Sequence, residues 1–545
     1  MTSFIVANMA PIMFASLVLF LLLGYPVAFS LAANGLLFGW IGIEMGLLKP
    51  ELLQALPERI FGVLSNDTLL AIPFFTFMGL ILERSGMAED LLDTIGQLFG
   101  SVRGGLAFAV IAVGAMLAAT TGVVAASVIS MGLISLPIMM RYGYDNRLAS
   151  GVIAASGTLA QIIPPSLVLI VLGDQMGVSV GDMYRGAFVP GFFLTGLYAV
   201  FIALMAIFYP KSCPALPISA RTLREADGRS GVASLAAVTA ISILASTAFV
   251  KWYSPEETPA DEVIVVSMLV AAAMAFAAAA ANRVLGLRVL SATAEKVIFV
   301  LIPPLALIFL VLGTIFIGLA TPTEGGAMGA VGAMLLALGK RRLSWRLSRQ
   351  AMDTTAKLTT FVVFILIGAR TFSLTFYGVD GDRWVEQLLT DLPGGQLGFL
   401  VIVNVMVFLI AFFLDFFEIA FIMVPLLTPI ATKLGINPIW FGVMLAVNMQ
   451  TSFMHPPFGF SLFYLRSVAP PKVKTTDIYW GAIPFVAIQL LMVMIVILCP
   501  GLVTSGLDKP VTVDLNKIEI PLDTSPEQQE SDPTKDFERL LKDKP

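Results

Sequence analysis

Apolar residues run through this chain in long blocks that are separated by short polar loops. A helix that crosses a membrane needs about 20 predominantly apolar residues. The blocks that we assign as crossings lie at residues 11–24, 26–47, 66–84, 148–173, 188–209, 232–250, 262–282, 297–319, 322–339, 357–377, 438–465 and 481–503. This pattern predicts an all-α polytopic membrane protein surrounded by lipid.

Two further apolar segments, at residues 105–140 and 398–432, are each interrupted midway. The interruptions are Thr120-Thr121-Gly122 in the first segment and Leu414-Asp415 in the second. Irregular backbone at membrane depth must face protein or a wet cavity, because lipid offers no hydrogen bonds. We therefore predict two re-entrant hairpins, each of which enters and leaves on the same side of the membrane.

The basic residues test this topology, because cytoplasmic loops carry an excess of lysine and arginine. With both hairpins re-entrant, roughly twenty basic residues fall in one set of loops. The other set holds only Lys49, Arg59, Arg185, Lys251, Arg383 and Lys433. A hairpin that crossed the membrane fully would mix the two sets. We therefore place the richer loops in the cytoplasm of a bacterium and the N-terminus in the periplasm, with the chain in the inner membrane.

Composition narrows the class of function. Charged residues make up 13% of the chain and its mean hydropathy is +0.89, whereas a soluble domain carries about a quarter charged residues. Cys213 and Cys499 lie far apart and His455 is the single histidine, so we expect no disulfide framework and no multi-histidine metal centre. The sequence has no phosphate-cradling loop. We expect an ion gradient to drive transport, with no cofactor and no nucleic-acid partner.

Motifs in the first part of the chain recur in the second part. A shift of 292 residues takes Pro164-Pro165 to Pro456-Pro457 and Pro137 to Pro429. Each part holds about five crossings and one hairpin, and two extra helices separate them, so the second part starts from the opposite face. Inverted repeats are typical of secondary transporters. We predict a first repeat at 1–210, a linker with two helices at 211–296, a second repeat at 297–505 and a polar, flexible tail at 506–545.

Each repeat contains a crossing that is broken by a double proline, at 156–166 and at 448–457. Proline lacks an amide proton and blocks the carbonyl four residues earlier. The carbonyls of Ala160, Gln161, Ser452 and Phe453 are therefore expected to be unpaired, unless the breaks are simple packing kinks. Unwound carbonyls and nearby hydroxyls suit a cation. Our cation-binding candidates are Thr121, Gly122, Ser156, Gly157, Thr158, Asp415, Asn448, Thr451 and Ser452.

The hairpin tips, the prolines and the charges inside spans are candidates for substrate binding. Helix N-termini that face a cavity present free amides, which suit a carboxylate. Charges inside a membrane are costly and mark functional sites. Arg370 either binds a substrate carboxylate or pairs with a buried acid, and Glu324 either binds a ligand or caps its helix. The substrate candidates are Thr120, Pro164, Pro165, Arg370, His455, Pro456 and Pro457, and the other intramembrane charges are Glu324 and Glu418.

Four motifs, in this order, make residues 10–505 resemble the large membrane subunit of tripartite ATP-independent periplasmic (TRAP) transporters. They are Leu70-Ala71-Ile72-Pro73-Phe74, Gln161-Ile162-Ile163-Pro164-Pro165-Ser166, Ala320-Thr321-Pro322-Thr323-Glu324, and Phe441-Gly442-Val443 running to Asn448 and Pro456-Pro457-Phe458-Gly459. The resemblance implies an elevator-type transporter that takes up organic acids with sodium. It also implies a separate small membrane subunit and a periplasmic substrate-binding protein.

The sequence departs from the family pattern at three positions. Thr121-Gly122-Val123 stands where the family often has Ser-Gly-Ser, Ser127 stands in place of an aspartate, and His455 replaces the threonine before the second double proline. Individual sodium ligands therefore do not transfer directly at these positions. The stretches 368–373 and 415–418 resemble a branch that is linked to keto acids or aromatic acids.

These observations favour the translocating subunit of a sodium-coupled TRAP importer of small organic anions. A stand-alone sodium–dicarboxylate symporter is the main alternative, since it resembles the same architecture and needs no binding protein. An intramembrane enzyme would need a dyad or a metal cluster, for which a single histidine leaves little material. A pore-forming channel would show uptake that does not saturate or that ignores the ion gradient.

Overall fold

The structure, a computed structural model, describes residues 2–507 except 222–230, 254–257, 259, 288, 391–392, 413 and 457–458, and it does not describe the side chains of residues 2–3, 120–121 and 260–262. The predicted tail from residue 508 onward and Pro457 therefore lie outside the described residues. All regular structure in the described part is helical. This confirms the predicted all-α class.

In the part of the chain that the structure describes, the first half forms twelve α-helices, which we number α1 to α12. They are Thr2–Ala7, Met9–Leu22, Val27–Glu44, Glu51–Gln54, Leu56–Leu64, Ala71–Arg84, Met87–Leu98, Gly105–Thr121, Val124–Arg141, Asn146–Thr158, Leu167–Met176 and Val180–Phe208. Two linker helices follow, α13 (Val232–Tyr253) and α14 (Ala260–Leu285). Both pack against the first helix of the second half, and most of their apolar surface stays exposed, as a lipid-facing position requires.

Among the described residues, the second half forms eleven α-helices, α15 to α25. They are Ala292–Phe316, Pro322–Gly339, Trp345–Gly378, Gly381–Thr390, Gly395–Ile410, Phe416–Ile422, Val424–Lys433, Pro438–Met449, Phe460–Val468, Thr475–Leu498 and Gly501–Thr504. Across the described residues, eight helices are long and apolar enough to cross a membrane, or up to 11 if each bent helix pair is one crossing. The chain is therefore a multi-pass membrane protein.

Three amphipathic helices, α5, α7 and α18, were missed by the sequence analysis. Each alternates apolar and charged residues at helical spacing, so none forms a continuous apolar block. α7 and α18 each come directly before a hairpin. Buried residues of α7 such as Leu91 and Ile95 face the protein while Glu89 and Asp93 face outward, which is the expected division for an amphipathic helix.

Helices of the two halves pack on each other reciprocally. α3 of the first half lies against α17 of the second, and α16 of the second half lies against α6 of the first. Small residues permit the close approach, since a Cβ at Gly35 would lie 2.7 Å from the Thr371 carbonyl oxygen and a Cβ at Gly326 would lie 3.0 Å from Phe74 Cβ. Exchanged pairs of this kind are what a two-fold repeat requires, and the repeat boundaries themselves stay a prediction.

Both interrupted apolar segments fold back on themselves as hairpins. In the first, formed by α8 and α9, the Leu106 amide donates to the Tyr144 hydroxyl at 3.2 Å, so the two ends meet. In the second, formed by α19 with α20 and α21, Gln396 Nε2 donates to the Leu434 carbonyl at 2.6 Å. Gly122 ends α8 with a φ of +57°, which favours glycine. The turns therefore lie at the predicted interruptions.

Candidate functional site

Both broken helices are present where the double prolines predict them. α10 ends at Thr158 and continues as a 3-10 turn over Leu159–Gln161, and α11 resumes after Ser166, whose hydroxyl accepts from the Val168 amide at 3.2 Å. In the second half, α22 ends at Met449 and a 3-10 turn over Gln450–Met454 precedes α23. In the first break both helix ends, Thr158 and Leu167, are buried, and in the second the end of α22 is buried while α23 begins at the exposed Phe460.

The expectation of unpaired carbonyls is wrong at two positions. The Ser166 hydroxyl donates to the Gln161 carbonyl at 2.5 Å, and the Ser461 hydroxyl donates to the Phe453 carbonyl at 2.5 Å. In each half, the hydroxyl of a serine that follows the double proline thus donates a hydrogen bond to a carbonyl that has lost its helical partner at the break. Both breaks therefore satisfy one backbone carbonyl by a hydrogen bond from a serine hydroxyl.

The first hairpin encloses the end of α10 between its two arms. A Cβ at Gly114 of α8 would lie 2.5 Å from Ser156 Cβ, and a Cβ at Gly157 would lie 3.3 Å from the Val128 backbone nitrogen of α9. At the tip, a Cβ at Gly122 would lie 3.0 Å from Leu167 Cγ. The structure therefore places Ser156 and Gly157 between the two arms of the hairpin and Gly122 against the start of α11, and the absent side chains at Gly114, Gly122 and Gly157 make this packing possible.

Thr158 lies at the centre of a buried network that joins the two halves. Its hydroxyl donates to the Ala155 carbonyl at 2.8 Å and accepts from Gln450 Nε2 at 3.0 Å. It also accepts from Gln489 Nε2 at 3.3 Å, and that nitrogen donates to the Tyr198 hydroxyl at 2.9 Å. The side chain of Thr158 is fully buried. With one proton donated and two accepted, its hydroxyl has no lone pair left for a cation.

The second break carries its own polar cluster. Asn448 Nδ2 donates to the carbonyl of Asn404 at 2.8 Å and to its Oδ1 at 2.9 Å. The Thr451 hydroxyl donates to the Asn448 carbonyl at 2.7 Å, which leaves the hydroxyl oxygen able to accept. Asn404, on α19 of the second hairpin, therefore links this hairpin to the broken helix.

Six buried side-chain oxygens around the two breaks have no hydrogen-bond partner among the described residues. They are Ser156 Oγ, Gln161 Oε1, Asn448 Oδ1, Gln450 Oε1, Ser452 Oγ and Gln489 Oε1. Buried polar atoms are nearly always paired, and an unpaired one indicates a missing water or ion. All six oxygens are neutral, as suits the unwound sites that bind sodium in transporters. Ser156, Asn448 and Ser452 are thus sequence candidates with an unpartnered oxygen, and the hydroxyl oxygen of Thr451 is also able to accept.

His455 packs against two aromatic rings of the second hairpin. Its ring centroid is 4.4 Å from that of Phe408 and 4.2 Å from that of Phe412. The side chain is 1% exposed, and neither ring nitrogen has a hydrogen-bond partner among the described residues. His455 is one of the substrate candidates chosen from the sequence. The imidazole has two polar atoms available for a ligand in an otherwise aromatic setting.

Asp415 and Glu418 form a reciprocal capping box at the start of α20. The Glu418 amide donates to Asp415 Oδ1 at 2.9 Å, and the Asp415 amide donates to Glu418 Oε2 at 2.9 Å. Each carboxylate thereby satisfies a backbone amide that has no partner within the helix. Both charges therefore have a local structural role at the tip of the second hairpin.

A pair of substitutions separates capping by Asp415 from cation binding. Asn caps helices as well as Asp does, so Asp415→Asn is expected to keep the stability of the protein, whereas Asp415→Ala costs about 1 kcal/mol. Thermal unfolding in detergent measures this difference. If Asp415 binds the cation through its charge, Asp415→Asn will instead raise the half-saturating sodium concentration while the unfolding temperature stays unchanged.

Two predicted charges have different surroundings. Glu324 forms a capping box with Thr321, whose amide donates to Glu324 Oε2 at 2.8 Å, so its predicted capping role is confirmed. Arg370 is half-buried on α17, which packs against α3 and α20. It makes no ion pair with any described residue, so pairing with a buried acid is not observed there. Carboxylate binding by Arg370 stays a prediction.

Sequence reasoning missed Tyr198, Asn404, Gln450 and Gln489. Away from the hairpin tips and the helix breaks, the candidates chosen from the sequence were mainly charged residues, whereas Tyr198, Asn404 and Gln489 are neutral residues that lie away from both. Gln450 lies in the second break but was not among the candidates. Amides and hydroxyls in an otherwise apolar helix are also signals, because polar side chains join helices in a membrane. α24 carries a single amide between two long apolar runs, and that residue is Gln489.

Comparison with known proteins agrees with this architecture. Residues 14–502 match the sequence profile of the family described as the DctM component of tripartite ATP-independent periplasmic transporters. The chain is 29% identical over 457 residues to the C4-dicarboxylate TRAP transporter large permease protein DctM of Pseudomonas aeruginosa, a match that covers 84% of this chain and 90% of the relative. It is also 25% identical to the isethionate TRAP transporter permease protein DctMQ of Oleidesulfovibrio alaskensis, covering 90% of this chain and 65% of that relative.

One solved structure is also similar. The YdaH transporter of Alcanivorax borkumensis aligns with a TM-score of 0.47 at 16% sequence identity, covering 83% of this chain and 88% of that chain.

Proposed function

Because the chain belongs to the family of the DctM component of TRAP transporters, we propose that it is the translocating subunit of a sodium-coupled importer of small organic anions. The observation that carries the sodium coupling is the set of unpartnered, buried, neutral oxygens at both broken helices. An alkali cation bound at each break satisfies Ser156 Oγ on one side and Asn448 Oδ1 with Ser452 Oγ on the other. Without a cation or water these atoms would remain unpaired at a substantial cost.

Small organic anions are supported as substrates by two relatives. One is named for C4-dicarboxylates and the other for isethionate, so a carboxylate and a sulfonate both occur among them. In this chain His455, which packs against Phe408 and Phe412, is the residue that we assign to the substrate, because its ring nitrogens have no hydrogen-bond partner among the described residues. An aromatic enclosure with one polar ring favours an organic acid with a planar keto or aromatic group.

The subunit works with two partners in this proposal. TRAP large permeases operate with a small membrane subunit and a periplasmic binding protein, and we assign the same two partners to this chain. The binding protein delivers the anion from the periplasm, where we also place the N-terminus on the evidence of the basic loops. Selectivity is therefore shared between the binding protein and the site around His455.

We also propose an elevator movement, which the division of the helices supports. Both hairpins contact the broken helices through Gly122, Val128 and Asn404, so hairpins and breaks form one body that carries the bound ions and substrate. α3, α6, α16 and α17 pack on each other across the two halves and form the frame against which this body slides. The amphipathic helices α7 and α18, one before each hairpin, are the connections that permit the slide.

Uptake into proteoliposomes tests the proposal. The vesicles contain this chain with its small partner, and the assay supplies a panel of organic acids with and without an inward sodium gradient and the binding protein. We expect uptake only when sodium and the binding protein are both present. Uptake of free substrate without the binding protein would instead identify a stand-alone symporter. Uptake that ignores sodium and does not saturate would identify a channel.

A further inference from the structure

Four fully buried side chains connect the two broken helices through a single hydroxyl. Thr158 ends α10, Gln450 opens the 3-10 turn after α22, Gln489 lies on α24 and Tyr198 lies on α12. None of the four is exposed to solvent. Each end of this connection lies close to a proposed cation ligand, because Thr158 is two residues from Ser156 and Gln450 is two residues from Ser452. The connection therefore runs directly from one proposed cation site to the other.

Proton counting fixes the orientation of both glutamine amides. The only proton of the Thr158 hydroxyl is donated to the Ala155 carbonyl, so its oxygen can only accept from other groups. Gln450 and Gln489 must therefore present their nitrogens to it, at 3.0 and 3.3 Å. The amide oxygens of both glutamines consequently point away from Thr158, and both are buried without a described partner.

The network has little freedom to absorb a local displacement. Gln489 Nε2 donates its second proton in a hydrogen bond to the Tyr198 hydroxyl at 2.9 Å. The Tyr198 ring packs edge-on against Phe485, with ring centroids 5.2 Å apart. Hydrogen bonds in a low-dielectric interior are strong, and a bond lost there is not replaced by water. A shift of the Ser156 segment on ion binding therefore moves Gln450, and with it the segment that contains Ser452.

We propose that Gln450, Gln489 and Tyr198 are positioning residues that couple the two cation sites through Thr158. This inference rests on the proposed sodium coupling and adds that the two sites bind cooperatively. Binding of one ion orders its own break, and the network transmits that order to the other break, which then binds its ion more tightly. By linkage the effect is reciprocal, so neither site acts first by necessity.

Sodium activation curves of the reconstituted transporter test the coupling. The wild type is expected to show a sigmoidal curve with a Hill coefficient clearly above one. Gln489→Met keeps the length of the side chain and removes both amide donors. We expect its Hill coefficient to fall below that of the wild type, because two ions that bind independently give a shallower curve than two coupled ions. Its half-saturating sodium concentration is expected to rise at least about fivefold, the lower end for allosteric coupling. The maximal uptake rate at saturating sodium is expected to change much less.

The matched control is Asn34→Leu. Asn34 is also a fully buried amide that donates to a hydroxyl on another helix, Ser16 Oγ at 2.6 Å, and its Oδ1 is also without a described partner. It lies on α3, outside the network, so its loss costs stability without changing the Hill coefficient. If Gln489→Met does not assemble, Tyr198→Phe decides the question, because it removes one oxygen and keeps the ring packing.

The outcomes separate the two proposals. A wild type without any sodium dependence overturns the proposed sodium coupling. A wild type that is activated by sodium with a Hill coefficient of one overturns the cooperative link and leaves the coupling standing. A Gln489→Met or Tyr198→Phe transporter that keeps the sigmoidal curve of the wild type also overturns the link. Loss of sigmoidicity in the network variants, with Asn34→Leu unchanged, supports it.

Discussion

Replacing Gly157 with valine is expected to abolish uptake and to lower the yield of folded protein. Gly157 lies where α10 meets the second arm of the first hairpin, and a Cβ there would contact the Val128 side chain and lie 3.3 Å from the Val128 backbone nitrogen. Backbone atoms cannot rotate away, so the hairpin must separate from α10. Overpacking of a core costs about 1–3 kcal/mol, and the displacement falls on Ser156, one residue away.

Gly196→Val is the matched control for this substitution. Gly196 also lies inside a long helix, α12, but no atom lies within 4 Å of a Cβ built there. This variant is expected to retain uptake and yield near those of the wild type. Fluorescence-detected size exclusion measures the yield, and proteoliposome uptake measures the activity. A Gly157→Val protein with normal yield and normal uptake would show that the contact between hairpin and α10 is not required.

The double substitution Ser156→Ala with Ser452→Ala is expected to remove sodium-driven uptake at physiological sodium. Each change deletes one unpartnered, buried oxygen that we assign to a cation site. A hydrogen bond or similar contact to a charged group contributes about 1.5–3 kcal/mol, which is roughly a factor of ten or more in affinity. Each single variant should therefore need about tenfold more sodium, by the same contribution, and the double variant more than either.

Ser135→Ala controls for the loss of a buried hydroxyl. Ser135 on α9 is 2% exposed, and its Oγ also has no described partner, but it lies outside both breaks. Its sodium activation curve should coincide with that of the wild type. Half-saturating sodium is read from uptake at a series of sodium concentrations. Unchanged values in both single serine variants would remove the assignment of these oxygens to cation sites.

Features that depend on neighbouring residues could be predicted from the sequence. The capping box of Thr321 and Glu324 spans four residues, and the hairpin turn at Gly122 and the helix breaks before the double prolines are equally local. Long crossings such as α12 and α24 were also found, because a lipid environment requires uninterrupted apolar residues. The amphipathic α7 escaped notice, because its charged residues interrupt every apolar run.

Contacts between distant residues could not be predicted. Thr158 looked like a cation ligand because it stands beside a break, but its lone pairs are occupied by Gln450 and by Gln489, 331 residues away along the chain. The sequence does not give the rotation of α24 that directs Gln489 inward. The same limit explains why the carbonyl of Gln161 was wrongly expected to be unpaired. Whether the Ser166 hydroxyl reaches that carbonyl depends on the backbone path through the two prolines.

The bond between Thr158 and Gln450 joins positions 292 residues apart, the same offset that relates the two double prolines. In a duplicated protein with identical halves, one residue type would occupy both positions and face its own copy. Here the Gln450 amide donates the hydrogen bond and the Thr158 hydroxyl accepts it, so the two positions have different roles. The halves have therefore become complementary and are no longer interchangeable. A chain built from two copies of the first half would place two threonines at this junction, with neither Gln450 nor Gln489 to donate a proton.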